Sequence, residues 1–126
     1  MSEWEAHVKS HWKYGRGNDA IQMAALGLAG ETGEAVEVIK KYMRIILEEG
    51  TIHHQGFKQV KGEIKGELGD VLFYLTELGK QFGLSLEDIQ RYNITKLNKR
   101  SGNDRQRELW TEDTIQPRTT LHKVPK

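Results

Sequence analysis

The 126-residue sequence contains no cysteine, and its two prolines, Pro117 and Pro125, both fall in the last ten residues. The first absence excludes a disulfide scaffold and thiolate metal sites, and it fits a reducing compartment. The second leaves residues 1–116 without the strongest helix breaker. Long alternating runs of β-branched residues are also missing, which predicts an all-α fold. No run approaches the roughly 18 apolar residues of a membrane span, and the opening MSEWEAHVKSHW has no basic region followed by an apolar stretch. Charge of one sign is lacking too: 19 Lys and Arg stand against 18 Asp and Glu, for a net of +1. The overall field therefore gives no case for nucleic acid or a membrane as partner. Together these absences predict a soluble, cytoplasmic, single-domain protein whose partners must be argued from local sites.

Two chemical signatures are also missing. The only Gly-Lys, at Gly79 and Lys80, is followed by Gln81, so there is no phosphate-binding Gly-x-x-x-x-Gly-Lys-Ser/Thr loop. No Glu-x-x-His occurs, which argues against a di-iron bundle. What is present is a pair of acidic motifs. GETGEAVEVIKKYMR, residues 30–44, carries Glu31 and Glu34; KGEIKGELGDVLFY, residues 61–74, carries Glu67 and Asp70. A helix turns about 100° per residue, so an i, i+3 pair of carboxylates can converge on one ion. Two such pairs on facing helices would make a four-carboxylate cage.

Helical periodicity runs through most of the chain. Residues 3–12 read as a short helix bearing Trp4, His7, Val8, His11 and Trp12, followed by a turn at Tyr14-Gly15-Arg16-Gly17. Asn18 or Asp19 offers an N-cap for a helix reaching about Glu49, with a core stripe of Ile21, Ala25, Leu28, Ala35, Ile39, Met43 and Ile46. Glu31 and Glu34 flank that stripe, on an edge shared with Ala20, Ala24, Val38, Tyr42 and Ile45. Residues 50–57 read as a loop containing His53 and His54. A helix from about Lys58 to Phe82 follows, striped by Val60, Ile64, Leu68, Val71, Leu75, Leu78 and Phe82, with Glu63, Glu67 and Asp70 on its flank beside Tyr74. Mid-helix glycines, Gly27, Gly30 and Gly33 in one helix and Gly62, Gly66 and Gly69 in the other, each cost on the order of 1 kcal/mol relative to Ala, so close approach of a neighbouring helix or subunit is expected there.

Gly83 serves as a helix stop and Ser85 as the cap of a fourth helix, Leu86 to Lys99, one face of which carries Ile89, Asn93, Lys96 and Arg100. From residue 89 to 100 there are four basic residues and no acid, a local anion site. Residues 101–126 are polar, with isolated apolar points, and read as an arm or tail beside a domain of residues 1–100.

Hard oxygen ligands without His or Cys select magnesium or manganese, and magnesium reaches out to substrate phosphates. Beside Asn93, Lys96 and Arg100, such a cage suggests a polyphosphate ligand cleaved by a water that a metal or a spare carboxylate activates.

GLAGETGEAVEVIKK, GELGDVLFYLTELGKQFGLSLEDI and NITKLNKR together resemble the MazG-like, all-α nucleotide pyrophosphohydrolases, over roughly residues 18–100. The resemblance implies a four-helix-bundle-like fold completed by homodimerisation, often paired further into tetramers. It implies hydrolysis of a (deoxy)nucleoside triphosphate to the monophosphate and pyrophosphate. It matches Glu31, Glu34, Glu67 and Asp70 to the magnesium ligands, and Asn93, Lys96 and Arg100 to a phosphate-binding segment. Tyr74 matches a position facing the nucleotide, and Trp12, His7 and Asn18 lie where related enzymes contact the base, although Trp12 also suits a core. Many relatives carry an acid, a candidate general base, where this chain has Gly30; Glu63 and Glu37 are the reserve candidates. The alternative readings are an all-α dUTPase or a phosphoribosyl-ATP pyrophosphatase of the same architecture, and a non-catalytic helical module that binds metal and nucleotide without turnover.

Overall fold

The structure, a computed structural model, describes residues 1–101. Among them there are four helices and no strand: α1 (Glu3–His11), α2 (Asn18–Glu49), α3 (His54–Gln81) and α4 (Leu86–Ser101). None of the helices is long and apolar enough to cross a membrane. The expected C-terminal arm lies outside the described residues. The described residues divide into two compact units, with the boundary between Leu84 and Ser85.

In the first unit, α1 starts with a reciprocal cap: Glu5 N donates to Ser2 Oγ, and Ser2 N donates to Glu5 Oε2, both at 3.1 Å. Its Val8 is fully buried. The indole N–H of Trp4 donates to Thr76 Oγ1 at 2.8 Å, tying α1 to α3. The turn after α1 is closed by Trp12 Nε1 donating to the Gly15 carbonyl at 2.8 Å. Neither Asn18 nor Asp19 caps α2. Gly17 takes that position at φ 111°, a conformation only glycine adopts readily.

α2 and α3 form an antiparallel hairpin, and the loop between them is shorter than the two glycines suggest. Gly50 ends α2 in the left-handed conformation, and α3 begins at His54, so His54 and Gly56 are helical. The end of α3 is a glycine stop: Leu84 N donates to Gly79 O at 2.9 Å and Gly83 N to Lys80 O at 3.0 Å, with Gly83 at φ 72°.

The packing face of α2 differs from the expected stripe. Ala20, Ala24, Ala35 and Ile46 are buried, and Val38, Tyr42 and Ile45 are half-buried, whereas Ile39 and Met43 are 46 % and 43 % exposed. The edge thought to flank the core is the interface itself. Small side chains explain the shift: Ala20, Ala24 and Gly27 let α3 approach so closely that a Cβ at Gly27 would run into the ring of Tyr74. On α3, Val60 is buried as expected, but Leu68 and Phe82 are 54 % and 64 % exposed.

The second unit is described by itself. Ser85 and Asp88 cap α4 reciprocally, Ser85 N donating to Asp88 Oδ2 at 2.9 Å and Asp88 N to Ser85 Oγ at 3.1 Å. Arg91 pairs with Glu87 one turn earlier, and no residue of α4 is buried.

Candidate functional site

The register of the hairpin decides which acids meet. Gly27 lies against Tyr74, and the ring of Tyr42 stands 6.4 Å from that of Phe57. Glu31, one turn after Gly27, therefore comes opposite the turn that precedes Tyr74. Glu31, Glu67 and Asp70 each offer one carboxylate oxygen, and these oxygens lie within 4.8 Å of one another. Glu31 shares a face with Ala20, Ala24, Val38 and Tyr42, the centre of the packing surface, so it is half-buried, as is Glu67; Asp70 is exposed.

The electrostatics follow from that crowding. Desolvation between the helices, and then the negative charges of Asp70, Glu67 and Glu34, hold the Glu31 carboxyl above its ordinary 4.5. A cation among these oxygens would remove the repulsion, and the donor set of carboxylates alone fits a hard divalent ion. Glu34, the fourth acid of the expected cage, is exposed and stands outside the group of three. It makes no hydrogen bond or ion pair among the described residues.

Two further acids are already engaged. Lys41 Nζ donates to Glu63 Oε1 at 3.1 Å and to Oε2 at 3.3 Å, and Gln59 Nε2 donates to Oε1 at 3.3 Å. Those hydrogen bonds, that from Lys41 foremost, keep the Glu63 carboxyl below its usual value, which weakens it as a proton acceptor. Glu37 pairs with Lys40 at 3.3 Å on the exposed face of α2. Glu34, Lys40, Lys41, Arg44, Glu63 and Glu67 line one open cleft, which brings three cations to the border of the acid group.

Tyr74 is half-buried, one turn beyond Asp70, with the ring of Trp12 at 6.5 Å in an edge-on contact. Trp12 in turn lines a second pocket together with Lys9, Gly15, Arg16, Glu77, Lys80 and Gln81. His7 does not line it; its ring stands 5.4 Å from Trp4 and 4.4 Å from His11. Asn18 is the exposed first residue of α2.

Asn93, Lys96 and Arg100 belong to the second unit. At spacings of three and four they share one face of α4, all exposed, and Lys96 Nζ lies 6.0 Å from the centroid of the Tyr92 ring. Such a face presents two cations and an amide to an anion.

Sequence reasoning missed Glu77 and Gln81. The signal was present: Glu77 follows Asp70 by seven residues, two helical turns, and so repeats its face inside the apolar run from Val71 to Leu78. It is buried, and Gln81 Nε2 donates to its Oε1 at 2.8 Å.

Residues 20–103 match the family described as the MazG nucleotide pyrophosphohydrolase domain. The Gene 37 protein of Mycobacterium phage L5 is 29% identical over 82 residues, covering 65% of this chain and 67% of that protein. No solved structure matches the chain.

Proposed function

The chain belongs to the MazG nucleotide pyrophosphohydrolase family, and from that premise we propose that it hydrolyses a (deoxy)nucleoside triphosphate between the α and β phosphates in a magnesium-dependent reaction. The products are the nucleoside monophosphate and pyrophosphate. One observation carries the proposal: Glu31 from α2 and Glu67 and Asp70 from α3 bring their oxygens within 4.8 Å. Three carboxylates pushed together at a helix interface are destabilising unless a cation joins them.

Glu31, Glu67 and Asp70 would hold the ion. When bound, magnesium (or manganese) neutralises phosphate oxygens and acidifies a coordinated water. The remaining work falls to side chains. A new P–O bond forms from water to the α phosphorus, the bridging P–O bond breaks with its electron pair leaving on pyrophosphate, and the water's proton needs an acceptor. Glu34 is that acceptor in this proposal, because it is next to the acid group and has no partner among the described residues. Glu63, held by Lys41 and Gln59, is not. Asn93, Lys96 and Arg100 take the phosphate-binding role.

Pyrophosphate and orthophosphate are to be measured separately, with common dNTPs, with and without magnesium. Pyrophosphate is the expected first product, and Asp70→Ala lowers the rate on the order of a hundredfold or more, the scale of losing one electrostatic contact to a reacting phosphoryl group. Orthophosphate as first product would sink the proposal. Glu34→Gln separates its two possible duties: a proton acceptor loses kcat while magnesium still stabilises the fold thermally, and a fourth metal ligand loses both.

The same proposal includes a second copy of the chain. Val36, Ile39, Met43 and Leu47 lie along one side of α2, and Leu68 and Leu72 follow each other on α3, all of them exposed. Only Val8, Ala20, Ala24, Ala35, Ile46 and Val60 form the buried apolar core of the described residues. An apolar band of that extent, over so small a core, is suited to homodimerisation.

A further inference from the structure

The pocket beside Trp12 is lined by a buried carboxylate, one oxygen of which accepts no hydrogen bond. Glu77 is 3 % exposed; its Oε1 accepts from Gln81 Nε2, whereas its Oε2 accepts no hydrogen bond and is held only by an ion pair with Lys80 Nζ at 3.6 Å. A buried carboxylate oxygen without a hydrogen bond is costly, a cost that an ion pair at 3.6 Å offsets only in part, and an apolar side chain of similar size would fill the same space without it. The oxygen is supplied by a residue that lines an open pocket, where an incoming ligand can provide the missing donor.

The position of the pocket indicates which ligand. Glu77 lies on the same face of α3 as Asp70 and about 10 Å further along the axis. That is comparable to the reach of a nucleotide from its α phosphate to the far edge of its base. Between the two stand Tyr74 and Trp12, with rings in edge-on contact, and the exposed part of an indole is a surface on which any base can stack. A carboxylate accepts and never donates. Adenine, cytosine and guanine all present an amino group to such an acceptor. Thymine and uracil offer only N3–H, flanked by two carbonyl oxygens that the same carboxylate repels.

We infer that Glu77 is a specificity-determining residue, and that this pocket favours nucleotides whose base carries an exocyclic amino group over those of thymine and uracil. This rests on the nucleotide-hydrolase function proposed above. Gln81 also anchors the turn that frames the pocket, donating to the Gly15 carbonyl at 3.1 Å and accepting from Gly17 N at 3.4 Å. With Gln81 occupying Oε1, Glu77→Gln directs an NH2 group towards the base and reverses the polarity of the contact.

The test uses the full chain, magnesium and α,β-imido analogues of dATP, dCTP, dGTP, dTTP and dUTP, with binding measured by calorimetry and pyrophosphate release from the natural nucleotides measured in parallel. At least one amino-bearing analogue is expected to bind tenfold or more tighter than the thymine and uracil analogues, the scale of one hydrogen bond to a charged group. Glu77→Gln is expected to bring that ratio within about threefold of unity or invert it, in a variant whose cooperative thermal unfolding shows that it is folded. Should that variant fail to fold, Glu77→Asp, which draws the carboxylate back by one methylene, is expected to shrink the ratio in the same direction. Equal or tighter binding of the thymine and uracil analogues by the wild type overturns the inference, as does a ratio unmoved in the folded variant, the result expected if Lys80 alone satisfies Oε2. Selective binding without pyrophosphate release would instead overturn the proposed reaction and leave the pocket's preference standing.

Discussion

Glu31 lies between two helices with the charges of Asp70, Glu67 and Glu34 around it, so its protonation and the stability of the metal-free fold are linked. Its carboxyl titrates above the ordinary 4.5 when folded, hence the folded state holds its proton to higher pH than the unfolded chain. The resulting contribution is fully present below about pH 4.5 and is lost as pH rises through the raised value. In chelator, melting temperatures of the wild type relative to Glu31→Gln are expected to fall across that window. Magnesium should reverse the slope, because its ligands bind as carboxylates and its affinity rises with pH. A difference between the two proteins that is flat with pH would show that the acids do not crowd one another. Glu63 gives the opposite case. Since Lys41 and Gln59 already occupy it, Glu63→Gln should leave kcat within about threefold of wild type, and a loss of a hundredfold, the range of general base catalysis, would restore it as the proton acceptor.

At the scale of the elements, the glycines of α2 and α3 divide by what faces them. A methyl group at Gly27 would strike the Tyr74 ring, so Gly27→Ala should destabilise the fold by about 1–3 kcal/mol, the usual cost of overpacking. At Gly62 nothing within the described residues lies within 4 Å of the added carbon. In a monomer Gly62→Ala should therefore stabilise by about 0.5–1 kcal/mol through helix propensity. A loss of stability that depends on protein concentration would mean that a second copy packs there. Chemical denaturation of both variants at two concentrations gives the comparison. Among the described residues, the expectation that all six mid-helix glycines mark close approach is met only at Gly27; nothing described there lies within 4 Å of a Cβ added at Gly30, Gly33, Gly62, Gly66 or Gly69.

For the whole molecule, the exposed apolar band on α2 is the main feature to be explained. Met43→Glu places a charge in the middle of it, beside Ile39 and Leu47. Sedimentation of the wild type is expected to give a dimer or larger, and the variant is expected to shift towards the monomer; a wild type that sediments as a monomer would remove the proposed dimer.

The sequence by itself determined the helices and the acidic motifs. Absence of proline before residue 117 and apolar periods of three and four residues are local properties, and they placed all four helices to within a few residues except at the start of α3. There, Gly50 and Gly56 as breakers predict a loop through Phe57, whereas one left-handed glycine suffices to end α2 and α3 begins at His54. Glu31, Glu67 and Asp70 were legible as an i, i+3 pattern. Tertiary structure alone decided which side of α2 faces α3, since a helix with apolar residues over more than half its circumference can bury either side and periodicity does not rank them. The choice went to the side with the smallest residues, which put Glu31 at the centre of the interface and left Ile39 and Met43 exposed. It also buried Glu77, because burial of a carboxylate depends on what α1 and its turn lay over it, a contact between residues more than sixty positions apart.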